Sequence, residues 1–150
     1  MVVNCDLVVA SERASFGLPE VHRGIAAVAG SLPRLVRAVG KQHAAEMALS
    51  GLTFSAFQLE RWGLVSRVVA NAQLLETAVE MASSIAKNSP DSIRVTMEGL
   101  HYGWEIASVE EASTKLVDRW YPKLIAGENF HEGVRAFVEK RKPQWRPCKL

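Results

Sequence analysis

Glu20 is the residue whose type and position most invite chemistry. It directly follows Pro19, at the exit of a short apolar stretch, Ala14-Ser15-Phe16-Gly17-Leu18. Proline cannot donate to a β-ladder and biases the residue before it away from helix, so an extended segment should stop there. The next side chain then projects from the end of that segment, where an apolar setting suits a carboxyl to general acid work. The bland alternative is a surface carboxylate paired with His22 or Arg23. Just beyond lies Gly24-Ile25-Ala26-Ala27-Val28-Ala29-Gly30, rich in small residues and leading into a helix. Backbone can approach a ligand closely over such a stretch, and a helix N-terminus favours negative charge. Tight helix packing would account for the same composition. The segment lacks the spacing of either nucleotide-binding glycine fingerprint.

Other candidates are weaker. Four histidines (His22, His43, His101 and His131) are scattered without ligand spacing, and the two cysteines, Cys5 and Cys148, sit near opposite ends. Neither a metal site nor a disulfide framework is expected, and Cys5, in an apolar run, is expected to be inert core. No Ser–His–Asp or Cys–His constellation stands out. The C-terminal stretch is basic: Arg135, Lys140, Arg141, Lys142, Arg146 and Lys149 against Glu139, with Phe137 and Trp145 interleaved. Such a stretch could hold a phosphorylated aromatic ligand by charge and stacking, or simply complement the end of a helix. The final Cys148-Lys149-Leu150 follows the small–basic–Leu pattern of a peroxisomal address.

The elements that must position these residues begin with Leu7 to Ala10, which reads as a strand buried on both faces, and residues 14–18 as a second extended piece. Leu32, Leu35, Val36 and Val39 mark one face of a helix closed by Gly40, and a second helix spans 42–50 before Gly51. Thr53 to Ser55 reads as a connector, with Ser55 capping a short helix through Trp62, and 64–69 as a strand. Asn71 is expected to cap a helix to Lys87 with Leu74, Leu75, Ala78, Met81, Ala82 and Ile85 buried. Helices follow from Pro90 to about Tyr102 or Trp104, from Ser108 to Ile125 through a Ser108/Glu111 capping box, and over 130–142 with Val134, Phe137 and Val138 inward.

The whole chain has 150 residues, 48% hydrophobic and 23% charged, with 18 Lys and Arg against 16 Asp and Glu for a net charge of +2. That composition argues against a disordered tail and against a dedicated nucleic-acid binder. No apolar run reaches the ~18–20 residues of a membrane span, and the first ten residues make a poor signal peptide. Low cysteine usage favours a reducing compartment.

Taken in order, C-D-L-V-V-A-S at 5–11, F-G-L-P-E-V at 16–21, R-G-I at 23–25, R-L-V-R-A-V-G-K at 34–41, A-E-M-A-L-S-G at 45–51, G-L-V-S-R-V-V at 63–69 and E-G-V-R-A-F-V-E-K-R-K-P at 132–143 resemble the enoyl-CoA hydratase/isomerase (crotonase) superfamily. The resemblance implies an α/β fold of the crotonase/ClpP-like spiral type. This chain would be its C-terminal part, mostly α with two or three short strands. Residues 1–70 would form the end of the β/α core carrying the Pro-Glu motif, and 71–150 a helical region for oligomerisation and CoA contact. Glu20 matches the family's second catalytic glutamate, while the first, and both amide donors of the oxyanion hole, would precede Met1.

The activity implied is hydration of an enoyl-CoA in fatty-acid or branched-acid breakdown. The alternatives are an isomerase using Glu20 alone, or a non-catalytic fragment that binds CoA or oligomerises. Many family hydratases have Pro-Gly-Ala-Gly-Gly where this chain has Ala27-Val28-Ala29-Gly30-Ser31. Val28 thus stands near the reacting water's place and points to a divergent subgroup. Tyr121, Phe137 and Lys140 match positions that contact the CoA adenine of a neighbouring subunit in family trimers and hexamers. The expected partner is an acyl-CoA thioester, with no cofactor beyond the CoA of the substrate and neither nucleic acid nor membrane. The expected compartment is the peroxisome, with mitochondrion or cytoplasm as alternatives.

Overall fold

A computed structural model of the chain describes residues 2–150. The chain forms two compact units, one ending at Glu80 and the other Met81–Leu150. The division falls inside helix α3 (Leu74–Ala86) rather than at 70/71.

The first unit contains strands β1 (Val9–Ser11), β2 (Ser15–Gly17), β3 (Thr53–Ser55) and β4 (Arg67–Val69), with helices α1 (Ser31–Ser50) and α2 (Ala56–Arg61). β1 pairs in parallel with β4, Ala10 facing Val68, and β2 pairs antiparallel with β3, Phe16 facing Phe54. One apolar cluster, including Leu35, Val39, Met47, Phe54, Leu59 and Val65, holds these elements together. Leu35 and Leu59 are fully buried. α2 starts where Ser55 Oγ accepts the Gln58 N–H at 3.2 Å, relieving one unpaired donor of its first turn.

α1 is continuous in name only. Gly40 has φ 79° and ψ 164° inside it, a conformation open to glycine, so the segment is two helices meeting at a sharp break. This agrees with reading Gly40 as a helix end.

Several expectations fail along this stretch. The opening strand shrinks to Val9–Ser11, because its partner β4 is only as long, and residues 2–4 form a 3₁₀ turn. Cys5, left outside the ladder, is exposed rather than buried. Thr53–Ser55 is a strand rather than a connector. Asn71 does not cap α3: its Oδ1 accepts from Ser11 Oγ at 3.2 Å, tying the end of β1 to the residue beyond β4. Along α3, Leu74, Ala78, Met81 and Ile85 are half-buried on one stripe, whereas Leu75 and Ala82 lie about 100° round the helix and are exposed.

The second unit is helical: α4 (Pro90–Glu105), α5 (Val109–Ala126) and α6 (Glu128–Val138), followed by an irregular strap. Ser89 caps α4 and Ser108 caps α5, each hydroxyl accepting from the N–H three residues on. α4 and α5 pack together around Trp120, whose Nε1 donates to Tyr102 Oη.

The expected inward face of α6 is its outward face. Val134, Phe137 and Val138 are 53%, 85% and 73% exposed. The face that packs is Asn129, Gly133 and Ala136, spaced i, i+4, i+7 and chosen for small size and hydrogen bonding rather than hydrophobicity. The Trp145 ring lies over Gly133, and its Nε1 donates to the Lys87 carbonyl at 2.9 Å. Asn129 accepts from the Arg146 N–H at 2.8 Å and donates to the Arg146 carbonyl at 3.0 Å and to Asp91 Oδ2 at 2.8 Å. Asp91, also buried, accepts the Lys149 N–H at 3.2 Å. The strap is thereby clasped to the first turn of α4.

Candidate active site

Glu20 lies in a short 3₁₀ helix, Pro19–Arg23, that begins two residues after β2. Pro19 sits at its start, where no N–H is missed, and Gly24 closes it with φ 69°, returning its N–H to Glu20 O and Val21 O. The Ile25 N–H also bonds to Glu20 O, at 3.3 Å. The Glu20 backbone is therefore held on its C-terminal side.

Its side chain is not. Glu20 Oε2 is buried and has no hydrogen-bond partner among the described residues. The bland reading, a pair with His22 or Arg23, is not seen among the described residues: His22 Nε2 lies instead 3.1 Å from the Gly51 carbonyl. A buried carboxylate oxygen is normally bonded, and one left open costs about 1–3 kcal/mol or more. Such an orphan calls for an explanation, and a catalytic role is one.

The small-residue stretch after Glu20 forms the adjoining surface. Residues 25–27 have no regular structure, and Gly30, with φ 80°, caps α1. Ile25 and Val28 stand out from it, Val28 83% exposed.

The remaining predicted residues all belong to the helical unit. Tyr121 on α5 is 51% exposed and Phe137 on α6 85% exposed. Lys140 follows α6 with a left-handed backbone, φ 53°, the one non-glycine residue with positive φ among those described. Cys148 and Lys149 are exposed, and Lys149 Nζ pairs with Glu128 at 2.5 Å. Leu150 is half-buried.

The structure thus keeps Glu20 with Val28 in one unit and Tyr121, Phe137 and Lys140 in the other. A polar pocket of about 390 Å³, lined by Glu128, His131, Glu132, Arg135, Gln144 and Arg146, includes none of them. Its electrostatics are internally settled. The Arg141 guanidinium and the Gln144 N–H hold the Glu132 carboxyl down at about 2. At the strap, burial pushes Asp91 up, but bonds from Cys148, Asn129 and Lys149 together outweigh it and leave its carboxyl below the usual value.

Pro19-Glu20 on a short turn, an open carboxylate oxygen and a small-residue loop before α1 are features that comparison with known proteins can decide. The enoyl-CoA hydratase/isomerase family model matches residues 1–147. The chain belongs to this family. It is 81% identical over 150 residues to a mevalonyl-coenzyme A hydratase of Aspergillus fumigatus, covering all of this chain and 56% of that protein. It is 45% identical over 151 residues to a mevalonyl-coenzyme A hydratase of Beauveria bassiana, covering 54% of it. The chain thus spans about half the length of the curated relatives it matches. The crystal structure of an enoyl-CoA hydratase/isomerase from Mycobacterium paratuberculosis superposes with a TM-score of 0.89 at 35% identity, over 97% of this chain and 57% of that one. The α/β fold of the crotonase type follows, with this chain contributing mostly helix and four short strands.

Sequence reasoning singled out Glu20 but not the contact of His22 with the Gly51 carbonyl. The signal was available only indirectly: Gly51 closes the second helix, and a left-handed residue there leaves a carbonyl within reach of another side chain.

Proposed function

We propose that the full-length protein adds water across the 2,3 double bond of an enoyl-CoA to give mevalonyl-CoA. Its substrate would be 5-hydroxy-3-methylpent-2-enoyl-CoA. The observation that carries this is the buried, unpartnered Oε2 of Glu20. A carboxyl aimed at no protein donor is free to exchange a proton with a substrate carbon. During hydration the Glu20 O–H gives its proton to C2, the water oxygen bonds to C3, and a second base takes the proton that water loses. On the family resemblance, that base and the two amide donors to the thioester oxygen come from outside these 150 residues. Each such donor is worth about 10²–10³-fold, so the activity belongs to the full-length protein.

Two relatives named for mevalonyl-CoA support the acyl group. The exposed isopropyl of Val28 suits a methyl-branched chain. Exposed Phe137 and Tyr121, with Lys140, suit stacking and charge contact with the adenine of CoA across a trimer or hexamer.

Steady-state hydration by the full-length protein tests the reading. The branched hydroxy substrate should exceed crotonyl-CoA in kcat/KM by about 10-fold or more, the scale at which a pocket discriminates small apolar changes. A preference for crotonyl-CoA would return the protein to simple short-chain hydration, and turnover of neither would overturn the reading.

The compartment we propose is the peroxisome, through Cys148-Lys149-Leu150. Deletion of Leu150 should abolish import of a fluorescent N-terminal fusion. Undiminished import would place the address elsewhere.

A further inference from the structure

We propose that His22 is a positioning residue for Glu20, stapling the turn that carries the carboxyl to the end of α1. The inference rests on the reading of Glu20 above and adds what fixes its direction. Among the described residues no hydrogen bond orients Glu20 Oε2, so its direction depends on the backbone that carries it. That backbone runs from β2 to His22 and is held at both ends by one neighbouring segment. At one end Gly17 pairs with Thr53 in the β2–β3 ladder. At the other, His22 Nε2 meets the Gly51 carbonyl at 3.1 Å. Residues 17–22 and 51–53 therefore form a closed circuit with Glu20 in its free span.

The anchor is firm. Gly51 ends a helix whose Ala44 and Met47 are buried in the core. Its own conformation is left-handed, φ 63°, and a Cβ there would run into the His22 ring and sit 3.0 Å from Val21 Cγ2. Glycine at 51 thus serves both the helix end and the seating of the imidazole. Because a carbonyl only accepts, His22 Nε2 carries the proton and donates. A five-residue 3₁₀ turn has poor hydrogen-bond geometry of its own and gains from an external tie.

The test uses His22→Leu, His22→Asn and His22→Gln in the full-length protein. Each is assayed on whichever of the two substrates above the unsubstituted protein hydrates faster, beside Glu20→Gln. Gln can place an amide N–H near the Nε2 position, whereas Asn is too short. Leu and Asn should lower kcat by about 10–100-fold with KM little changed, as expected of a displaced catalytic group, and Gln should restore most of the loss. Denaturation midpoints should stay close to the parent for all three. Unchanged kcat in His22→Leu beside a large loss in Glu20→Gln overturns the staple alone. So does an equal loss in Gln and Leu, or one that tracks the denaturation midpoint. No loss in Glu20→Gln overturns the reading of Glu20 itself.

Discussion

Glu20→Gln in the full-length protein should cut the hydration rate by about 10²–10⁴-fold, the usual worth of a positioned acid or base. The amide has the shape of the carboxyl but no proton to give to C2 and no basic oxygen to take one back. Its effect should be confined to chemistry. Oε2 makes no hydrogen bond among the described residues, so replacing it breaks none of those contacts, and the denaturation midpoint should correspond to a change within about 0.5 kcal/mol. Loss of the enoyl chromophore over time reads the rate, and a urea titration reads the stability. Turnover equal to the parent would remove Glu20 from the mechanism.

Leu59→Ala should show the opposite pattern. Leu59 is fully buried in the cluster that joins α1, α2 and the strands. Its carbonyl also accepts the N–H groups of Leu64 at 2.9 Å and Val65 at 3.2 Å, so the side chain is fixed at the point where α2 turns toward β4. The surrounding elements cannot collapse far into the space left by the missing carbons. The expected cost is about 2.7–5 kcal/mol by urea titration, as for other Leu→Ala changes in close-packed cores. Leu75→Ala, on an exposed position of α3, is the control and should stay within about 0.5 kcal/mol. A loss below about 1 kcal/mol at Leu59 would mean that the cluster is not the close-packed core described. Turnover measured well below the midpoint should be nearly normal in Leu59→Ala, separating it from Glu20→Gln.

What could be read from the residues was mainly local. Ser55 and Ser108 announce helix starts because a cap and its N–H partner lie three residues apart. Gly40 announces a break because its conformation is open to few other residues. Glu20 stood out because Pro19 fixes its neighbourhood. What could not be read depends on partners distant in sequence. Strand length at Val9–Ser11 is set by β4, nearly sixty residues on. The inward face of α6 is set by a strap that prefers Gly133 and Asn129 to the more hydrophobic Val134 and Phe137, so hydrophobic periodicity pointed the wrong way. His22 looked like an unassigned histidine because Gly51 is 29 positions away. The openness of Glu20 Oε2 is a property of the folded surroundings alone.

The clasp between Asp91 and Lys149 also fixes the topology of the helical unit. Lys87 meets Trp145 and Asp91 meets Lys149, so the stretch entering α4 and the stretch leaving α6 run side by side. The unit is a loop tied at its neck. A protease cut in the turn between α4 and α5, or between α5 and α6, would leave both pieces held by that neck, as in proteins whose ends adjoin and tolerate permutation.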